Sequence, residues 1–376
     1  MKKRTVGLIL KRLILTIFVA VLIIALPSVN LAANNDLSKI YEVFLGSKSK
    51  YQGIIEIWNI DSFESGIISK QKFLTDVSEK FKSKNKGLYF MIRNLTETEC
   101  VNLLNQGKQP DLISCSFGVA EKFKEYVCGF DFAVTENIDI SAMAAGNVDG
   151  EQVGIPWCKN GYFVFSTKDK LTAAKVEDYK NKSLSDICLD LGYTTKTKKG
   201  EKVIYSVSFG NKKYLMPFAA IKSYNKIEAD NVLEYSFNKE RICESAYSAY
   251  SDFISDKSVC LIGSQRDVFR LENRINNGKI CDVVYEQIDG FTDMIQFMML
   301  SKNLQGNKKE LAQNFVKFLI SSDTQRLVYD IGLFPVNKVE NLKSNEGIMQ
   351  NIIPQNFEDY STLNIFVSEN QIKQLQ

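Results

Sequence analysis

Aromatic rings stand beside carboxylates, amides and hydroxyls at several points where an apolar run of the sequence begins or ends. The candidate ligand-binding residues of this kind are Trp58, Asn59, Asp61, Glu64, Ser114, Ser116, Trp157, Tyr162, Gln265, Arg266, Thr292 and Asp293. Rings stack on the apolar faces of a ligand, whereas carboxylates, amides and guanidinium groups form hydrogen bonds with its hydroxyls. The combination is typical of a site for a small polar ligand. The alternative is a structural role, with Trp58 in the core and the loop after it merely solvated.

The chain of 376 residues contains no histidine, and this absence removes several classes of enzyme. Neither a Ser-His-Asp nor a Cys-His nucleophile can form, and no histidine-ligated zinc or haem site can be built. A glycosidase needs only two carboxyl groups that flank one bond, and Glu64 with Asp293 is the pair to consider, although the sequence does not fix their separation. The sequence has no nucleophile elbow, P-loop or glycine-rich nucleotide fingerprint. We therefore predict a protein that is not an enzyme, with no cofactor and no metal site.

The first 33 residues have the pattern of an export signal. A basic head is followed by an apolar run from Leu13 to Leu26 that is interrupted at Thr16, then by Pro27 and small residues up to Ala33. This order is typical of a secretory signal peptide, and the run is shorter than the roughly 20 residues that a spanning helix needs. An uncleaved N-terminal anchor is the alternative. Residues 34–52 are polar and are predicted to be a tether with a short helix.

The mature chain is close to neutral. Residues 1–33 hold five basic and no acidic residues, so that their removal changes the net charge from +3 to −2. A chain with this balance has no overall electrostatic attraction to DNA or RNA, and we predict no nucleic-acid partner.

All eight cysteines follow the predicted signal, and none directly follows its apolar run, where a lipid-modified cysteine would stand. No pair has the C-x-x-C spacing, which argues against structural zinc and thioredoxin-type chemistry. Export is compatible with disulfides. Several of the cysteines lie inside apolar runs, however, so that buried free thiols are the simpler interpretation for most of them.

Strands and helices alternate in the first part of the mature chain. Apolar, β-branched runs predict strands at 53–58, 88–92 and 110–114, and helical spacing predicts helices over 73–82 and 97–106. Alternation of this kind is typical of βαβ units and a mostly parallel sheet. The length corresponds to about two domains.

A second set of elements starts at Gly154. Strands are predicted at 162–166, 258–262, 283–285 and 294–300, and a hairpin is predicted from strands at 203–209 and 214–218. Helices are predicted near 183–191, 232–238, 241–254, 308–321 and 323–331. Together the two sets predict an α/β protein of two lobes.

Four segments in this order resemble a known family. They are Ile54–Asn59 with Phe63–Gly66, Pro110–Ser114, Gly154–Asp169, and Phe318–Gln325 with Gly332–Val336. The chain resembles the extracellular solute-binding proteins of ABC importers, in particular the maltose-binding-protein-like group that carries sugars and oligosaccharides. It departs from that group in having no lipid-attachment cysteine and a short portion after Pro335.

The resemblance implies an α/β, two-lobed periplasmic-binding-protein-like fold of type II, with hinge strands that join the lobes and a ligand cleft between them. Lobe 1 would comprise 53–153 plus 286–335, and lobe 2 would comprise 154–285 plus 336–376. The ligand would sit at the carboxyl ends of strands and be enclosed by hinge bending. Trp58 and Trp157, at opposing lobe edges, would clamp a sugar ring.

The implied function is capture of a small-molecule solute, with a carbohydrate favoured, and its delivery to the transmembrane subunits of an ABC permease. We expect a monomer at the extracellular face of the cytoplasmic membrane or secreted, and in the periplasm if the source is Gram-negative. A binding protein that reports a ligand to a membrane receptor is one alternative, because both roles need ligand-driven closure. A secreted glycosidase that relies on carboxylates is the other.

Overall fold

The computed structural model describes residues 47–134, 138–173, 203–207, 246–288, 292–337, 360, 362–368 and 370–371. The predicted signal, the helices predicted near 183–191 and 232–238, and the strand predicted at 214–218 lie outside these residues. Of the predicted tether, residues 47–52 begin the first strand. The described residues divide into two compact units, one made of 47–54 with 79–89 and the other of the remainder. All the candidate site residues belong to the second unit.

The described strands form two larger sheets and one small pair. The strands are β1 Ser47–Asn59, β2 Asn85–Asn94, β3 Leu112–Cys115, β4 Val127–Cys128, β5 Asn147–Val148, β6 Glu151–Gln152, β7 Gly154–Lys159, β8 Tyr162–Thr167, β9 Val203–Val207, β10 Ser258–Ser264, β11 Val283–Ile288 and β12 Ile295–Ser301. The first sheet has the order β2-β1-β3-β12-β4, with β7 also paired with β12. The second has the order β11-β8-β10-β9, and β5 pairs with β6.

The described helices follow the apolar spacing of the sequence. They are α1 Lys70–Lys84, α2 Glu97–Asn105, α3 Ile140–Ala145, α4 Lys168–Ala173, α5 Ala246–Ile254, α6 Gln265–Asn276, α7 Gly306–Ile320 and α8 Ser322–Gln325, with 3-10 helices at Ala120–Tyr126 and Arg326–Ile331. Helix α7 buries Leu311, Phe315 and Leu319, which share one face at i, i+4 and i+8. Helix α2 begins with a capping box in which Thr96 and Glu99 satisfy each other's backbone N–H groups.

Both sheets are mixed, so that the prediction of a mostly parallel sheet is wrong. Strand β12 runs antiparallel to β3, β4 and β7, and β8 runs antiparallel to β10 and β11, whereas β1–β3 and β9–β10 are parallel pairs. The described partner of β9 is β10, in parallel, and not the hairpin strand predicted at 214–218. Antiparallel pairing arises here because β7 and β12 connect to the other sheet without a crossover helix of the βαβ type.

Two passages between the sheets lie within or beside the described residues. Strand β7 ends at Lys159 in the first sheet and β8 begins at Tyr162 in the second, with only Asn160 and Gly161 between them. The return runs from β11, which ends at Ile288, to β12, which begins at Ile295. The strand at Gly154, with which the predicted lobe 2 opens, therefore pairs in the first sheet.

The segment near the C-terminus packs beside the first sheet. The backbone N–H of Ile365 donates to the Ala145 carbonyl at 2.8 Å, and Thr362 Oγ1 donates to the Thr292 carbonyl at 2.7 Å. The Ile365 side chain is fully buried against Gly154, where an added Cβ would come within 2.3 Å of its Cδ1 atom. The segment belongs to 336–376 of the predicted lobe 2, and the lobe boundaries stay a prediction.

The six cysteines of the described residues are free thiols. Cys100, Cys115, Cys158 and Cys260 are buried, and Cys281 is exposed. Burial raises the pKa of Cys100 to about 12, which keeps this thiol protonated at neutral pH. These buried thiols therefore act as small apolar side chains of the core.

Phe297, at the centre of β12, tests how strongly the first sheet depends on this strand. Its side chain is fully buried and packs edge-to-face on Phe117, with ring centroids 5.3 Å apart. We expect Phe297→Ala to lower the free energy of unfolding by about 3–5 kcal/mol, since it removes an aromatic core side chain and leaves a cavity. The measurement is urea denaturation of the protein without residues 1–33. The control is Ile140→Ala, whose side chain is 82% exposed, with an expected change within about 0.5 kcal/mol.

Candidate ligand-binding site

A cavity of about 410 Å³ lies between the loop after β1 and the first turns of helix α6. The loop and the start of α1 contribute Asp61, Phe63, Glu64, Ser65, Gly66, Ile67, Ile68, Ser69 and Lys70, and α6 contributes Arg266 and Arg270. Because β1 belongs to the first sheet and α6 follows β10 of the second, the cavity has walls from both sheets. Three of the predicted residues, Asp61, Glu64 and Arg266, line it.

Glu64 and Arg266 form an ion pair across this cavity. The Arg266 side chain is 26% exposed and that of Glu64 is 62% exposed. Burial lowers the pKa of Arg266, and the neighbouring Arg270 guanidinium lowers it further, against the effect of Asp267. The pair therefore joins a partly desolvated cation on the second-sheet side to a carboxylate on the loop of the first sheet.

Lys70 holds the loop in place from within. Its side chain is 1% exposed, lies 3.2 Å from Asp61 Oδ1, and donates a hydrogen bond to the Phe63 carbonyl. The same ammonium group stands 4.0 Å from the centroid of the Phe63 ring. These contacts satisfy a charge that would be costly to bury alone. Sequence analysis missed Lys70, since a lysine at the end of a polar loop is ordinarily solvated.

Two glycines allow the loop to come close to helix α6. The N–H groups of Gly66 and Ile67 donate to the Ile331 carbonyl at 3.0 and 3.1 Å. Gly332 has a φ of 72°, and a Cβ there would come within 2.4 Å of the Phe269 ring and 2.7 Å of Gly66 Cα. The Phe269 ring of α6 thus rests against both glycines, and this contact also joins elements of the two sheets.

Asn160, between β7 and β8, links the passage between the sheets to the site. Its carbonyl accepts a hydrogen bond from Thr292 Oγ1 at 2.8 Å, and its Oδ1 accepts one from the Gln265 backbone N–H at 3.2 Å. Its Nδ2 lies 3.5 Å from the Glu64 carbonyl. Asn160, Gln265 and Thr292 are fully buried. Thr292 and Gln265 are predicted site residues, and neither of them lines the cavity.

Tyr162 and Asp293 form a buried polar pair at the same crossing. The Tyr162 hydroxyl donates to Asp293 Oδ1, and Ser116 Oγ donates to the Asp293 carbonyl at 3.3 Å. Burial raises the pKa of Asp293 to about 6, and the hydrogen bond from Tyr162 acts in the opposite direction. Burial also raises the pKa of Tyr162, which remains a neutral donor.

The two tryptophans lie in the core of the first sheet. Trp58 is 1% exposed and its Nε1 donates to Glu56 Oε1 at 2.8 Å. Trp157 is fully buried, and its ring is parallel to that of Phe73 with centroids 5.5 Å apart. Neither ring faces the cavity, so that the predicted clamp is not formed in this conformation. Trp157 stands in β7, which is buried along its whole length, and Trp58 stands in the buried end of β1 at 57–59.

Asn59 and Ser114 are likewise used inside the first sheet. Ser114 Oγ donates to Asn59 Oδ1 at 2.9 Å and accepts hydrogen bonds from Trp157 Nε1 at 3.2 Å and Gln296 Nε2 at 3.0 Å. Asn59 Nδ2 donates to Asp61 Oδ1 at 3.1 Å. Through this network the buried strand ends hold Asp61, and with it the base of the loop.

Comparison with known proteins shows a likeness in structure but none in sequence. No protein-family model matches the chain, and no curated protein matches its sequence. The GacH receptor of Streptomyces glaucescens, solved unliganded and with acarbose, superposes with a TM-score of 0.59 at 12% identity, over 87% of this chain and 93% of that one. The ABC substrate-binding protein Lmo0181 of Listeria monocytogenes, solved with cycloalternan, gives 0.58 at 13% identity, over 86% and 90%.

The chain has the type II periplasmic-binding-protein fold. An enzyme shares it: thiaminase I of Bacillus thiaminolyticus superposes with a TM-score of 0.56 at 13% identity, over 86% of this chain and 98% of that one. The type II fold is therefore a scaffold for binding and for catalysis, and the function has to be argued from the site.

Neither a membrane-spanning helix nor a metal cluster occurs in the described part of this type II fold. The helices whose residues are described are too short or too polar to cross a bilayer. The described Cys, Asp and Glu side chains form no group of three or more that could hold a metal ion.

Asp293 makes the free energy of unfolding depend on pH. A carboxyl group whose pKa rises from 3.8 to about 6 on folding makes its full contribution to stability below pH 4 and loses it as the pH rises through about 6. We expect wild-type stability to fall, relative to that of Asp293→Asn, by about 2–3 kcal/mol between pH 4 and pH 7. The measurement is urea denaturation at a series of pH values. Asp330→Asn, at an exposed position, is the control and should follow the wild type; parallel curves for all three proteins would contradict this assignment.

Proposed function

We propose that the protein is the exported substrate-binding component of an ABC transporter, which captures a carbohydrate and delivers it to the transmembrane subunits. One observation supports this most strongly. A polar cavity of about 410 Å³ has walls from both sheets, and Glu64 and Arg266 approach each other across it. A ligand in such a cavity contacts both sheets at once, as capture by closure requires.

Closure would work through differential affinity. In an open form only one wall contacts the solute, whereas in the closed form the loop at 61–70 and helix α6 both do. The solute favours the closed form by the free energy of the additional contacts. The Phe269 ring against Gly66 and Gly332 is a direct contact that closure would form. The permease would then recognise the surface of the closed protein.

Cargo and location are part of this proposal. The similar structures were solved with acarbose and with cycloalternan, and such molecules favour a saccharide as the cargo here. The basic and apolar pattern of residues 1–33 supports export to the outer face of the cytoplasmic membrane or beyond. We expect a monomer with no cofactor. Reporting of the ligand to a membrane receptor is the alternative that uses the same closure.

An enzymatic role has less support from the site. Of the two carboxyl groups considered for a glycosidase, Glu64 lines the cavity and Asp293 does not. Glu64 pairs with Arg266, and the Asp293 carboxyl accepts a hydrogen bond from Tyr162. The described residues that line this cavity include no cysteine that could act as a nucleophile. We therefore favour binding without chemistry.

A ligand screen tests the proposed function. We expect oligosaccharides at about 100 times their dissociation constant to add about 2.7 kcal/mol to the stability of the protein without its leader, because they bind only the folded state. The measurement is thermal unfolding against monosaccharides, oligosaccharides, amino acids and peptides. A midpoint shift confined to amino acids or peptides would refute a carbohydrate cargo. No shift with any solute would refute the binding role.

The Phe269 contact tests closure. We expect Phe269→Ala to bind the saccharide found in the screen about tenfold more weakly, equivalent to about 1.4 kcal/mol, since the closed form loses a contact that the open form lacks. Calorimetry measures the affinity, and small-angle scattering measures the decrease in radius of gyration on binding. Asn273→Ala, at an exposed position of the same helix, is the control and should retain wild-type affinity. Equal affinities for both variants would show that this contact does not contribute to closure.

A further inference from the structure

We propose that the captured saccharide is acidic and that its carboxylate replaces Glu64 as the partner of Arg266. This inference rests on the proposed function and adds to it the chemical class of the cargo. Its basis is the arrangement of charged side chains around the cavity between the loop at 61–70 and helix α6.

The cations of this cavity have partners of two kinds. Lys70 pairs with Asp61 inside the loop, at 3.2 Å, and Arg270 pairs with Asp267 inside the helix, at 3.3 Å. Both pairs are local and survive any movement of the loop away from the helix. Arg266 differs, because its carboxylate partner, Glu64, stands on the opposite wall. Opening of the cleft therefore removes the counter-charge of Arg266 alone.

Arg266 without Glu64 is a cation in an unfavourable place. Its side chain is only 26% exposed, and the Arg270 guanidinium is close enough to lower its pKa. It occupies the second position of α6, where the positive end of the helix dipole adds to the repulsion. Lys70, on the opposite wall, is the first residue of α1, whose first turn carries no acidic residue. An incoming anion is attracted by Arg266 and by this end of the helix, and the repulsion from Asp267 and Asp61 is reduced because each of them is paired with Arg270 or Lys70.

A buried amide beside Arg266 also lacks a partner. The Gln265 side chain is fully buried, and neither its Nε2 nor its Oε1 has a hydrogen-bond partner among the described residues. Unsatisfied buried polar atoms are costly, and native proteins rarely retain them without a reason. Gln265 does not line the cavity in this conformation, so that a polyhydroxylated ligand would offer its carboxylate to Arg266 and could reach the Gln265 amide only once the cleft opens.

The Glu64 carboxylate indicates which chemical group of a ligand can replace it at Arg266. A guanidinium presents a planar fork of N–H donors that suits a carboxylate, and the group at Arg266 is a carboxylate. A neutral sugar entering the cavity would separate Glu64 from Arg266 and supply no charge in return. A uronate would replace one carboxylate by another, which leaves the exposed Glu64 free to return to water.

Calorimetry with matched ligands tests the inference. The probes are a short oligogalacturonate and its carboxyl-reduced counterpart, which differ only in carboxylate against hydroxymethyl. We expect the wild-type protein to bind the acidic probe at least about tenfold more tightly, equivalent to about 1.4 kcal/mol, and this preference to shrink as salt screens the charges.

Substitutions test whether the preference for the acidic probe arises from the Glu64–Arg266 pair. Glu64→Gln removes the internal competitor and should strengthen binding of the acidic probe several-fold, with a smaller effect on the neutral one. Arg266→Gln should abolish the preference. Arg274→Gln, on the same helix but away from the cavity lining, is the matched control and should keep it. If Arg266→Gln fails to fold, the probe comparison in the wild type and in Glu64→Gln still decides.

Two outcomes would overturn the inference, and they are distinguishable. Equal or tighter binding of the neutral probe would refute an acidic cargo and leave the proposed saccharide-binding function standing. Binding of neither probe, nor of any saccharide in the screen, by protein with a cooperative unfolding transition would refute both.

Discussion

The short passage between β7 and β8 is the constraint on which the rest of the site depends. Asn160 is fully buried there, and its backbone N–H donates to the Met294 carbonyl at 2.8 Å while its own carbonyl accepts from Thr292. Both described passages between the sheets are thus tied together at one residue. Its side-chain amide accepts a hydrogen bond from the Gln265 backbone N–H and lies beside the Glu64 carbonyl. Asn160 therefore positions both the start of helix α6 and the loop after β1.

The cations around this point fall into two kinds: Lys70 and Lys159 have counter-ions that they keep, whereas Arg266 has one that it can exchange. Lys70 is buried with Asp61 and the Phe63 ring, and Lys159 is buried with Asp139, so that each cation has its counter-ion on elements of the first-sheet side. Buried pairs of this kind are costly to break and fix local geometry. The Arg266 pair is more exposed and joins the two walls, so that it is the one able to exchange its partner.

Much of the fold could be predicted from the sequence, because strands such as β1 and helices such as α1 are encoded by local apolar patterns. Strand direction could not, since β12 pairs with strands far away in the chain. Of the site, Asp61, Glu64 and Arg266 were found because they follow apolar runs. The burial of the two tryptophans could not be predicted. The same apolar run is expected for a strand end that is covered by other elements and for one that is open to a ligand.

The central position of β12 has a consequence for biogenesis. The first sheet needs residues 295–301 between β3 and β7, and Ile365 covers Gly154 beside it. A nascent chain therefore cannot complete this sheet until residues 295–301 have been synthesised, and pairing between strands so far apart in the sequence slows folding. The first sheet therefore lacks its connection between β3 and β7 for as long as β12 is unpaired.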